Sequence, residues 1–210
     1  VCVDTSAVLE RTWAALCGLG WIGKNAMLIH PKLGSYTFIG IVLTSLKWSR
    51  SPTLLANYCG NCERCLHVCP TQALSQVGSQ DCSKSTLLDS RKCIGYRTIE
   101  MRGVEQNGDL QRRHGNWVAG CDLCQEACPY NNKRDKEDTF DTGQRFDFPL
   151  NWKDLEEMDE QSYRKLVRYS ALSRVKFRDF VRNLDIARSN ASRLNEHRKE
   201  QSLPVEQQET

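Results

Sequence analysis

An α+β fold is expected for this chain of 210 residues, and three observations lead there. Helical and then strand-like apolar spacing occupies residues 1–50, a cysteine-rich block fills 51–132, and two helical patterns follow it. Hydrophobic residues make up 40% and charged residues 26%, ordinary values for a soluble protein. No apolar run approaches the length that crosses a bilayer, so no membrane partner is expected. A net charge of +3 does not by itself imply nucleic acid.

The first block reads in order. Val1-Cys2-Val3 looks like the tail of a buried strand, and Asp4 or Thr5 can cap a helix. Val8, Leu9, Trp13 and Leu16 recur at helical spacing, and Gly18 supplies the stop. The glycine-rich stretch Gly18 to Asn25 lacks the spacing and closing Lys-Ser/Thr of a P-loop. Ala26 to Ile29 and Ser35 to Leu43 read as strands joined by the turn His30 to Gly34. The second is apolar on both faces and so is expected inside a sheet. The chain opens at Val1 already within a strand-like run and without methionine, so it is expected to be a piece of something longer.

Eight of the eleven cysteines carry the chemistry of the second block. Cys59, Cys62, Cys65 and Cys69 follow one another at ligand spacing, and Pro70 closes the run. Cys93 stands alone, then Cys121, Cys124 and Cys128 end at Pro129. Two-residue spacers let one loop present three thiolates to an iron–sulfur cube. In two-cluster ferredoxins the fourth cysteine of such a run ligates the other cluster. The expected partition is Cys59, Cys62, Cys65 and Cys128 on one [4Fe–4S] cluster, and Cys69, Cys93, Cys121 and Cys124 on the second. Zinc knuckles also use paired Cys-x2-Cys, but they require neither the third cysteine nor the repeated Cys-Pro ending. Disulfides sit poorly with an odd cysteine count. Cys2 and Cys17 read as buried small hydrophobes, and Cys82 as part of a polar loop insertion. His67 and His114 are expected at the surface, since cysteine already fills every cluster position. Within this block, Leu87-Leu88-Asp89 and Tyr96 to Glu100 suggest a strand and a helix flanking Cys93.

A polar linker, Asn131 to Gly143, precedes helical patterns at Asp154 to Ser170 and Arg174 to Asp185. Between residues 161 and 190 eight basic side chains face two acids, a local charge of +6. Such a stripe is either a solvated helix face or a phosphate-backbone contact. Residues 133–190 are thus a basic helical region, and 191–210 are expected to be a disordered tail.

Several non-cysteine motifs occur in a fixed order around the cysteine runs. They are Val3 to Arg11, Gly18 to Asn25, Gly34 to Gly40, Leu88 to Tyr96, Thr98-Ile99-Glu100 and Gly120 to Gln125. Over about residues 2–185 the chain resembles the epoxyqueuosine reductases on these motifs. The resemblance implies an oxidoreductase that reduces epoxyqueuosine to queuosine at the wobble position of tRNA, using cobalamin and two [4Fe–4S] clusters. It makes residues 1–50 the C-terminal part of a corrinoid-binding α/β region, and 51–132 the ferredoxin-type domain. Asp4 matches the family's proposed proton donor, and Glu10 and Arg11 fall in the same segment. Lys24, Asn25, Leu28, His30, Ile39 and Asp122 fall where cofactor contacts are expected. The implied partners are a tRNA anticodon arm, with Tyr96, Trp117 and Tyr130 as platforms for unstacked bases, and an external one-electron donor. A cytoplasmic monomer is expected. Gly95 and Tyr130 replace the family's usual Ser and Trp. Because the upstream α/β region is absent, the chain alone is expected to bind cobalamin weakly. The competing function is a non-catalytic, ferredoxin-like electron carrier; a third is a corrinoid enzyme acting on small molecules.

Overall fold

The computed structural model describes residues 7–47, 49, 52–77, 85–104, 106–132 and 151–201. Two compact units are present: Val1–Asp89 with Asp122–Phe140, and Ser90–Cys121 with Asp141–Thr210. Among the described residues, helices with four short strands make an α+β arrangement.

The first unit begins with α1 (Glu10–Leu16), ended by Gly18 at φ +73°. Only Ala14 of this helix is buried, and Leu9 and Trp13 lie open to solvent. Cys17 is likewise exposed, where burial was expected. Strands β1 (Trp21–Ile22) and β2 (Leu28–Ile29) pair antiparallel, with Trp21 opposite Ile29. The turn between them explains its glycine: a Cβ at Gly23 would collide with the Ile29 side chain. Arg11 donates a hydrogen bond to the Ala26 carbonyl of this turn, a structural task.

The strand expected over Ser35 to Leu43 is absent. Phe38, Val42 and Leu43 are almost fully exposed, and no segment among the described residues pairs with this stretch. An apolar run becomes a strand only where a partner completes its ladder. Farther on come α2 (Arg64–Val68), the antiparallel pair β3 (Leu74–Val77) and β4 (Ser85–Leu88), and, after the excursion into the second unit, α5 (Leu123–Glu126). Helices α2 and α5 pack against each other. Asp4, Cys2 and Cys82 lie outside the described residues.

The second unit is helical: α3 (Ile94–Ile99), α4 (Gly108–Arg113), α6 (Trp152–Glu156), α7 (Glu160–Val167) and α8 (Phe177–Gln201). The pattern expected as one helix from Asp154 to Ser170 breaks in two because the Asp159 side chain accepts the Ser162 N–H at 2.8 Å, capping α7. Helix α8 runs well past Asp185 and continues through residues 191–201, where a disordered tail was expected. Tyr163, Val167, Val175 and Phe180 form the core. Tyr163 and Phe180 stack at 4.6 Å between ring centroids, and the Tyr163 hydroxyl donates to the Val175 carbonyl at 3.0 Å.

A buried polar seam fastens α8 to α3 and its neighbours. Asn183 is fully buried and donates through Nδ2 to the carbonyls of Thr98 (2.8 Å) and Val118 (2.9 Å). Arg182 donates to the Arg97 carbonyl at 3.0 Å, and the buried Asp179 carboxylate accepts the Gly103 N–H at 3.2 Å. One of the eight basic residues is therefore a structural clamp, with its side chain only 13% exposed. His114, expected at the surface, is buried with Nε2 2.6 Å from the Trp117 carbonyl.

Candidate iron–sulfur site

Cys59 opens a tight loop in which Asn57 Oδ1 accepts the Cys59 N–H at 3.0 Å and the Cys59 carbonyl accepts the Cys62 N–H at 2.9 Å. Gly60, at φ +49°, lets the chain double back. The first turn of α2 then presents Cys65. On the other run, α5 ends so that the Cys128 N–H donates to the Gln125 carbonyl at 3.0 Å, which holds Cys128 beside the first loop. Cys59, Cys62, Cys65 and Cys128 consequently line one cavity of about 200 Å³. Three come from the first run and one from the second, the distribution that crossing ligation requires.

These thiols face a common electrostatic problem. Burial, with Cys59, Cys62 and Cys128 nearby, pushes the Cys65 thiol up to about 11. Burial also raises Cys128, against hydrogen bonds from the backbone of Tyr130 and Asn131. Four thiolates so close repel one another unless a cationic core neutralises them, which an iron–sulfur cube does. Among the described residues no group of three or more Cys, His, Asp or Glu closes around a single metal ion. Donor set and spacing both fit a cubane.

The cavity wall is built from the first block. Trp21, Ile29 and Cys128 pack together, with Cys59 and Tyr130 against them. Trp21 meets Tyr58 and Tyr130 edge-on, with centroids at 5.2 and 4.8 Å. Tyr130, expected as a base platform, thus belongs to the cluster wall. Lys24 and Asn25 also line this cavity, and Lys24 Nζ donates to the Gly60 carbonyl at 2.9 Å. Tyr58 and Arg64 line it too and were missed from sequence; their adjacency to cysteine ligands was the available signal.

The remaining predicted contacts lie apart. Leu28 is buried in the core. His30 Nδ1 accepts the N–H groups of Lys32 and Leu33 at 3.2 and 3.1 Å, closing its own turn. Ile39 fronts a separate apolar concavity with Trp13 and Val42. Asp122 is exposed and accepts a hydrogen bond from Gln125 Nε2 at 2.6 Å. Cys69 Sγ accepts the Ala73 N–H at 3.3 Å. Of the second quartet, Cys69 and Cys124 belong to the first unit, Cys93 and Cys121 to the second.

Comparison with known proteins follows the same lines. Residues 58–131 match the family described as a 4Fe-4S double cluster binding domain. The epoxyqueuosine reductase of Atelocyanobacterium thalassa is 37% identical over 183 residues, covering 86% of this chain and 57% of that protein. Over most of its own length the chain is similar to the epoxyqueuosine reductases. The structure of the Streptococcus thermophilus epoxyqueuosine reductase matches with a TM-score of 0.73 at 26% identity, over 97% of this chain and 53% of that one. A crystal structure of an epoxyqueuosine reductase with an epoxyqueuosine-modified tRNA stem loop matches with a TM-score of 0.67 at 23% identity, over 90% and 48%. The chain thus spans about half the length of these relatives. None of its helices, among the described residues, is long and apolar enough to cross a membrane.

Proposed function

We propose that this chain supplies the iron–sulfur half of an epoxyqueuosine reductase, acting in the cytoplasm on the anticodon arm of tRNA. The observation that carries the reading is the cavity where three thiols of one run meet Cys128 of the other, in a chain 37% identical over 183 residues to an epoxyqueuosine reductase. Epoxide reduction takes two electrons and two protons and yields an alkene and water. Single electrons from an external donor would arrive through the clusters. Cysteine thiolates would hold these cubes, and Trp21, Tyr58 and Tyr130 pack together beside the first. Asp4 is proposed as the proton donor that turns the departing alkoxide into a neutral hydroxyl.

Cobalamin, when bound, supplies a low-valent cobalt centre able to reduce the substrate. The residues assigned to it do not converge: Lys24 and Asn25 line the cluster cavity, Leu28 is core, and Ile39 fronts a different concavity. The isolated chain is expected to take up cobalamin weakly.

For the tRNA, the concavity of about 690 Å³ between α7 and the start of α8 is the proposed phosphate contact. Arg164, Arg168, Lys176 and Arg178 line it. Such a surface binds by counterion release, with steep salt dependence and little sequence choice.

The test is nucleoside analysis of epoxyqueuosine-containing tRNA after anaerobic incubation with the protein expressed in its natural reading frame, both cofactors and a chemical one-electron reductant. Queuosine should form, and Asp4→Asn should abolish it while iron content stays the same. The unconverged corrinoid contacts favour a second reading, an electron-transfer module that acts on no substrate; failure to form queuosine in a cluster-replete, cobalamin-loaded protein would select it.

A further inference from the structure

Asn25 is 96% buried, yet half of its amide has no visible purpose. Its Oδ1 accepts the Met27 N–H at 3.2 Å, which also fixes which end of the side chain is oxygen. The other end, Nδ2, is buried without a hydrogen-bond partner. A buried amide N–H left unpaired is strongly unfavourable, so an acceptor is expected there. Asn25 lines the cavity of Cys59, Cys62, Cys65 and Cys128, together with Lys24, Ile29, Tyr58, Arg64 and Tyr130. The acceptors that a cluster brings to such a cavity are its sulfides and thiolates. Neighbouring Lys24 is already committed, with Nζ on the Gly60 carbonyl and 3.9 Å from Glu63.

We propose that Asn25 donates an N–H···S hydrogen bond to the cluster of Cys59, Cys62, Cys65 and Cys128 and raises its reduction potential. The inference rests on the iron–sulfur part of the reading above. One-electron reduction adds a negative charge to the cube without breaking a bond. An N–H dipole aimed at sulfur therefore stabilises the reduced form more than the oxidised one. The Lys24 ammonium close by acts in the same direction. The first cluster becomes easier to reduce than it would be without this hydrogen bond. Asn25 is a positioning and tuning residue here, with no part in bond making.

The experiment is a potentiometric titration, followed by electron paramagnetic resonance, of the full chain with anaerobically reconstituted clusters. Asn25→Leu removes the donor without adding charge. One of the two midpoint potentials should fall, with the ratio of reduced to oxidised cluster dropping about tenfold at a fixed poise, which is about 59 mV for a one-electron couple. The other midpoint and the iron content should stay unchanged. Two unmoved midpoints in an iron-replete variant overturn the inference and leave the iron–sulfur reading intact. If Asn25→Leu takes up no iron, the unsubstituted chain decides. With 15N in the asparagine side chains, its reduced cluster should show a nitrogen hyperfine coupling, and none overturns the inference. An unsubstituted chain that binds no iron sinks both this inference and the reading beneath it.

Discussion

Removing Cys62 and removing Cys128 should have the same consequence, although 65 positions separate them in the chain. Both thiols line the one cavity, together with Cys59 and Cys65. A cubane left with three cysteines on that wall loses a quarter of its ligation, and alanine offers no replacement donor. Cys62→Ala and Cys128→Ala should each lower iron from about eight to about four per chain, with one cluster signal lost. The double variant should lose no more than either single one, because both substitutions strike the same cube; their effects are grossly non-additive. Ligation confined within each run predicts something different: each single change removes its own cluster, and the double variant retains almost no iron. Iron analysis of the three anaerobically reconstituted variants, read beside the resonance signal of the reduced protein, distinguishes the two. A double variant that is nearly iron-free while each single one keeps half would refute the crossing arrangement.

The remaining expectations concern the second unit. Asn183→Leu keeps the volume but leaves the Thr98 and Val118 carbonyls without their donor, so urea unfolding should show a loss of about 2–4 kcal/mol. Burial holds the His114 imidazole below its ordinary value of 6.5. Below that pH the unfolded chain binds a proton that the folded chain refuses, so stability present at neutral pH should fall as the solution is acidified. His114→Gln should flatten this part of the stability–pH curve. Arg168→Glu combined with Lys176→Glu should weaken binding to RNA hairpins of any sequence and lower the salt slope by about two. A filter-binding series at several salt concentrations measures both.

The cysteine runs were legible because a cubane demands four thiolates at short spacings, and loops express such spacings directly in sequence. The helices were legible in type but not in extent. Asp159 splits one predicted helix because its side chain competes for the Ser162 N–H. Helix α8 runs beyond the apolar pattern because Asn190 Nδ2 still reaches the Gln111 and Gly115 carbonyls at 2.8 and 3.0 Å. Those partners lie more than 70 residues away and leave no local trace.

What the amino acids determined alone was the chemistry of the metal site and the resemblance to the epoxyqueuosine reductases, since ligand type and spacing survive without knowledge of the fold. Tertiary structure decided which side chains face that site. Lys24 and Asn25 were expected beside a corrinoid and stand on the cluster wall, because the Gly23 turn packs against Ile29 and carries them there. It also decided which charges are available to a ligand: Arg182 is drawn inward by three backbone carbonyls, while Arg168 lines an open concavity. A one-dimensional count of charge cannot separate the two, because burial depends on contacts that close only when distant segments meet.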